Sequence, residues 1–196
     1  MYQKYHTECL VLGNSEYGES DRVFTLYTEG FGLVRARCSA VRSEKSRMRY
    51  ALQNYSRSHV GLVRGKRGWR IGGAISIQGA GIGRGTFAFA RITRFIMRFT
   101  VGEERDPYLF SVLTGAHDVL MRDSCDEWSI IEVVCVARSL HALGYLSVEA
   151  LDLSTGEAGT TLFTHTAYED RDILEAETMR DKLVASINRA IEGTHL

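Results

Sequence analysis

The chain has 196 residues, 44% hydrophobic and 24% charged, and its 24 basic and 24 acidic side chains balance to a net charge of zero. That length is enough for one large domain or two small ones with a real core, and no apolar run approaches the ~18 residues of a membrane span. Neutrality hides a sorting of charge along the sequence. From Gly30 to Gly102 there are fifteen basic residues against one acid, Glu44, whereas from Glu103 to Leu196 seven basic residues face eighteen acidic ones. A basic block folded beside an acidic one attracts a polyanion locally even when the whole molecule is neutral.

The first eighty residues read as strands. Cys9 to Leu12 is an apolar run that the turn-like Gly13-Asn14-Ser15 is expected to end. Arg22 to Thr28 is rich in β-formers and is closed by Glu29-Gly30. Leu33 to Ala40 has a period of two, with Val34, Ala36 and Cys38 on one face and Arg35 and Arg37 on the other. Ser46 to Gln53 lacks that alternation and predicts a short helix with Met48, Ala51 and Leu52 on one side. Tyr55 to Val63 and Trp69 to Ile77 form a hairpin around Arg64-Gly65-Lys66-Arg67-Gly68. Five strands with one helix between the third and fourth is the element order of an OB-fold barrel, though another small barrel could share it.

Gly79, Gly81, Gly83 and Gly85 mark a junction; their spacing is not that of a dinucleotide-binding loop, and Gly65-Lys66 is followed by Arg67, not by the Ser or Thr of a phosphate loop. With Pro107 the only proline, no Pro-rich linker is present. Beyond the junction the period becomes helical. Ile92, Phe95, Ile96 and Phe99 follow a Thr86 cap, and Asp106-Pro107 opens a second helix with Leu109, Val112, Leu113 and Ala116 facing inward. Ser124 to Glu127 fits a capping box for a third helix that Gly144 ends, and its apolar centre predicts the most buried helix. Residues 145–168 read as irregular, and a last helix carries Leu183, Val184, Ile187 and Ile191. The expected fold is therefore α+β: a five-stranded OB-fold β-barrel over residues 1–79, then a small α-helical domain over 80–196.

The basic block carries the candidate site. Arg35 and Arg37 lie on one strand face, Arg64, Lys66, Arg67 and Arg70 surround the hairpin, and Arg42, Lys45, Arg47 and Arg49 occupy the connection. Such an array neutralises several phosphates, and Tyr50, Tyr55 and Trp69 lie among it as stacking or core aromatics, Trp69 reading better as core. Phosphate contacts carry no sequence information, so binding is expected to be salt-sensitive and largely sequence-blind. Arg91, Arg94 and Arg98 share one side of the first helix of the second domain; they either extend the phosphate track, touch a partner or snorkel beside a packed face. The six histidines are dispersed and the carboxylates sit at helix starts, so no catalytic group and no metal site is expected. The four cysteines lack metal spacing and read as reduced, mostly buried thiols of a cytosolic protein. Lys4, His6 and Glu8 stand where a signal peptide needs an apolar stretch.

A more specific signal begins at Tyr17-Gly18-Glu19-Ser20-Asp21-Arg22 and continues in Leu26-Tyr27-Thr28, Gly32-Leu33, Arg42, Lys45-Ser46-Arg47 and Leu52-Gln53. In order and spacing this closely resembles the N-terminal domain of the bacterial recombination mediator family RecO, over about the first seventy residues. Leu143-Gly144-Tyr145 resembles the family's C-terminal domain more weakly. The resemblance implies an OB-fold followed by a helical domain and no enzymatic active site. It further implies binding of single- and double-stranded DNA, annealing of complementary strands, and partnership with RecR and the tail of single-strand-binding protein during loading of the recombinase RecA. Cytoplasmic, nucleoid-associated work without a membrane follows from the same likeness. By position, the family's DNA-contacting region falls on Arg35, Arg37, Arg42, Lys45, Arg47 and the hairpin basics. Many members carry a four-cysteine zinc module after the Leu-Gly-Tyr segment; residues 146–170 contain no cysteine here, so zinc is not expected. The C-terminal domain is short for the family, and Ala40 stands where a glycine is expected. The charge pattern alone also allows another class: a non-enzymatic adaptor whose basic barrel binds an acidic protein partner.

Overall fold

The computed structural model describes residues 3–43, 46–122, 125–147 and 162–194. Two compact units emerge: Met1–Gly81 with Val101–Phe110, and Ile82–Thr100 with Ser111–Leu196.

The first unit is a closed barrel of β1 (Lys4–Tyr17), β2 (Asp21–Thr28), β3 (Gly32–Cys38), β4 (Arg57–Gly65) and β5 (Gly68–Gln78), with a short helix α1 (Met48–Ala51) between β3 and β4. The strand order β1-β2-β3-β5-β4, closed by β4 on β1 and by a parallel β3–β5 pair, is that of an OB-fold. Inward positions alternate as a half-buried strand requires: Val34, Ala36 and Cys38 are buried on β3, whereas Arg35 is exposed and Arg37 half-buried. Phe24, Leu26, Val60, Leu62, Trp69 and Ile71 complete the core. Tyr5 and Phe31 pack edge-on or tilted against Trp69, with ring centroids 5.5 and 5.0 Å away.

Three local expectations are corrected. β1 does not end at Gly13-Asn14-Ser15; a register shift between Val11 and Gly13 absorbs one residue as a bulge, and the strand continues to Tyr17. The chain reverses instead at Gly18, whose φ of +67° is left-handed. α1 is four residues, not eight. It is held by Ser56 and Ser58, whose hydroxyls both donate to the Ala51 carbonyl. The β4–β5 turn narrows to Lys66-Arg67, with Gly68 at φ +94° supplying the left-handed residue of the tight reversal. Gly32 is needed for a different reason as well: a Cβ there would sit 2.0 Å from the Glu104 carbonyl oxygen.

The second unit contains α2 (Arg84–Phe99), α3 (Pro107–Leu120, whose first turn belongs with the barrel unit), α4 (Trp128–Ala142), α5 (Asp170–Thr178) and α6 (Arg180–Gly193). Asp106 caps α3 through a 2.9 Å bond from the Leu109 amide, with Pro107 in the first turn as expected. Gly83, not Thr86, is the N-cap of α2, and Thr86 lies inside the first turn. α4 begins at Trp128 with Glu127 itself in the cap position, so the expected capping box does not form; Ser124 lies outside the described residues. No residue from Ile130 to Leu140 is exposed, and α4 packs against α2, α5 and α6. Its end is a Schellman motif: Tyr145 N–H donates to the Leu140 carbonyl, Gly144 N–H to that of His141, with Gly144 at φ +77°. The last helical stretch divides at Met179 into α5 and α6, and most of the segment expected to be irregular, 148–161, lies outside the described residues.

Candidate nucleic-acid interface

Folding undoes part of the charge sorting. Five arginines of the basic block are paired with carboxylates from outside it: Arg37 with Asp21, Arg42 with Glu16, Arg57 with Glu8, Arg64 with Glu103 and Arg91 with Glu132. Arg37 makes two such bonds: its Nε and Nη2 both donate to Asp21 Oδ2, at 2.8 and 2.5 Å. Asp21 also accepts the Ala40 amide at 2.8 Å through its other oxygen. These bonds, the Ala40 amide first and then Arg37, hold the Asp21 carboxyl below the usual carboxylate range. The positive φ of Ala40, +52°, belongs to this turn. Glu103 does double duty, accepting Trp69 Nε1–H at 2.8 Å and pairing with Arg64 at 3.3 Å; the Arg64 guanidinium lies 5.1 Å over the Trp69 ring.

Several of the cations that have no ion pair among the described residues share one groove. Arg35, Lys66, Arg67 and Arg70 have no ion pair among the described residues, are exposed, and line one groove of about 860 Å³ on the barrel. Arg35 reaches it because the β3 alternation turns odd positions outward, and Lys66 and Arg67 because they form the tip of the β4–β5 hairpin. Arg37 and two residues that sequence reasoning passed over, Lys4 and Tyr17, line the same groove, and Lys4 is likewise exposed and without an ion pair among the described residues. Lys4 lies outside the stretch in which basic residues were counted, and Tyr17 falls beyond the point where β1 was expected to stop.

The other candidates go elsewhere. Arg42 and Arg49 line a second, smaller cavity of about 250 Å³ together with Arg22. Arg47 is the residue before α1, and Lys45 lies outside the described residues. Arg64 is committed to Glu103 and Trp69. Trp69 itself is 4% exposed and belongs to the core, whereas Tyr50 is exposed and lies beneath the Arg49 guanidinium at 4.7 Å. On α2 the three arginines differ: Arg91 is held by two hydrogen bonds to Glu132, Arg94 leans on the Ala90 carbonyl at 3.4 Å, and Arg98 lies 5.7 Å over Phe99.

Three cysteines, Cys9, Cys38 and Cys135, are buried, and burial pushes the thiols of Cys38 and Cys135 up to about 11. Among the described residues no three His, Cys, Asp or Glu side chains are grouped to hold a metal ion, and no helix is long and apolar enough to cross a membrane.

A closed five-stranded OB-fold with a cationic groove on its outer wall defines the class: an OB-fold protein followed by a helical region. Residues 1–71 match the family described as Recombination protein O N terminal. Over these residues the chain is similar to the RecO family. It is 40% identical over 62 residues to the DNA repair protein RecO of Desulfitobacterium hafniense, covering 32% of this chain and 23% of that protein. It is 30% identical over 121 residues to that of Myxococcus xanthus, covering 57% and 48%, and 26% identical over 120 residues to that of Dehalococcoides mccartyi, covering 59% and 47%. Each of these matches spans less than half of the relative's own length.

Proposed function

We propose that this chain is a non-enzymatic, DNA-binding recombination mediator of DNA repair, and that the groove bounded by Arg35, Lys66, Arg67 and Arg70 holds the phosphate backbone. The observation that carries this reading is that five basic side chains without an ion pair among the described residues, Lys4 with these four, line one groove of an OB-fold barrel. Arg37, Arg42 and Arg64, from the same basic block, are already answered by carboxylates. Cations placed along a groove neutralise phosphates and release counterions without reading bases, so binding is strong at low salt and largely sequence-blind. Holding backbones this way lowers the mutual repulsion of two strands and lets complementary bases pair, which is strand annealing. In this reading residues 1–79 bind DNA and residues 80–196 dock RecR and the tail of single-strand-binding protein, so that recombinase is loaded on coated DNA. The names of the relatives, DNA repair protein RecO, support the process; the groove supports the binding.

The test is the anisotropy of labelled single- and double-stranded oligonucleotides, with an annealing assay in the presence and absence of single-strand-binding protein. Arg35→Glu with Lys66→Glu is expected to weaken binding at least tenfold and to slow annealing. Unchanged affinity in that variant would count against the reading. Capture of an acidic protein that survives nuclease treatment, with no binding of oligonucleotides, would show an adaptor instead.

A further inference from the structure

The groove has one feature that electrostatics leaves unused. Tyr17 ends β1, opposite Asp21 at the start of β2, and is 51% exposed, unusual for so large an aromatic side chain. It lines the groove beside Arg35, Lys66, Arg67 and Arg70. The Arg37 guanidinium lies over one face of its ring, 4.4 Å from the centroid. That guanidinium is itself fixed by its two hydrogen bonds to Asp21, so a carboxylate, an arginine and a phenol ring form a rigid stack. A ring fixed in advance loses little freedom when a ligand packs on it.

We propose that Tyr17 is a base-stacking platform that gives the groove a preference for unpaired DNA; the proposal rests on the groove being the DNA site. The other groove aromatic, Trp69, is buried and engaged with Glu103, Tyr5 and Phe31. Tyr50 is exposed but does not line the groove. Tyr17 is therefore the aromatic whose surface a groove-bound strand meets. A single strand offers the π-face of a base to such a ring, whereas a duplex keeps its base faces stacked internally and presents phosphates and edges. The five groove cations without an ion pair among the described residues would hold either form; the ring distinguishes them. Arg37 acquires a role different from the one its charge suggests: it positions Tyr17, while its charge is met by Asp21.

The experiment uses the full chain and three probes of equal length: a single strand, the same strand with abasic sites, and the duplex. For the wild type, affinity for the intact strand is expected to exceed that for the abasic strand by about tenfold, within the range of one base stacked on an aromatic ring. Tyr17→Leu, which keeps apolar bulk against Arg37, is expected to erase that difference and to weaken duplex binding less than binding of the intact single strand; Tyr17→Phe should preserve it. Equal wild-type affinity for intact and abasic strands overturns the proposal. So does a Tyr17→Leu loss that is the same for all three probes, because that loss reports the shape of the groove and not stacking. If the stacking difference is absent but Lys66→Glu still weakens every probe, the groove stands and the platform falls. If the wild type binds no probe, both fall together.

Discussion

Arg37 and Asp21 face each other from adjacent strands, with both guanidinium hydrogen bonds converging on one carboxylate oxygen, while the other oxygen accepts the Ala40 amide. This arrangement ties the start of β2 to the end of β3 and sets the plane on which Tyr17 rests. It also gives stability a pH dependence of definite sign. Asp21 titrates lower in the fold than in the unfolded chain, so its contribution is complete above the ordinary carboxylate range and is lost as pH falls through its lowered folded value. Asp21→Asn is expected to lower the thermal midpoint at pH 7, with the difference from wild type shrinking as the buffer is acidified. A difference that grows toward low pH would contradict this assignment.

Ala40 is held at φ +52°, a conformation in which a Cβ crowds the following carbonyl oxygen. Ala40→Gly removes that crowding but adds freedom to the unfolded chain. The net expected effect is a gain of roughly 0.5–1 kcal/mol, read from the denaturant midpoint. A loss of stability would mean that the Ala40 methyl group contributes contacts that outweigh the strain.

The barrel was legible because its strands show β-branched and aromatic residues at a period of two, with Arg35 and Arg37 opposed to Val34, Ala36 and Cys38. The same local logic failed at Gly13-Asn14-Ser15, where a bulge and a turn have the same residue preferences and only the partner strand distinguishes them. The candidate site was half legible. Counting charges found Arg35, Lys66, Arg67 and Arg70, but it could not separate them from Arg37, Arg42 and Arg64. That separation is made by acids distant in sequence, such as Glu103 for Arg64 and Asp21 for Arg37, and it exists only once the topology is formed. Linear charge reports which side chains are present; the fold decides which remain available.

Arg91 illustrates the difference. Its pairing with Glu132 across α2 and α4 is a half-exposed contact worth at most about 1 kcal/mol. It leaves Arg91 already answered, so Arg91→Ala is expected to change DNA affinity by less than about twofold, whereas Lys66→Ala weakens it several-fold by removing one phosphate contact. Comparable losses from the two substitutions would show that α2 takes part in binding.

Arg138 is a different kind of cation. It is fully buried, its Nε and Nη1 each donate at 2.7 Å to the carbonyls of Leu162 and Ala167, its guanidinium lies 4.8 Å from the Tyr168 ring centroid, and Asp172 stands 3.6 Å away. One side chain thus ties α4 to the segment that leads into α5. Arg138→Ala strands Asp172 and two carbonyls, and a loss of about 3 kcal/mol or more is expected in the unfolding of the helical unit followed by circular dichroism. A loss under about 1 kcal/mol would show that the surroundings satisfy those groups without it.

The most direct measurement of the groove's role is the salt dependence of single-strand affinity. Five cations on phosphates, Lys4 among them, at ~0.7 per contact for single strands, give a slope of log K against log salt of about −3.5. Replacing Lys4, Arg35, Lys66, Arg67 and Arg70 together by Ala is expected to bring that slope close to zero. A wild-type slope near zero, or one that survives the fivefold replacement, would place DNA binding outside this groove.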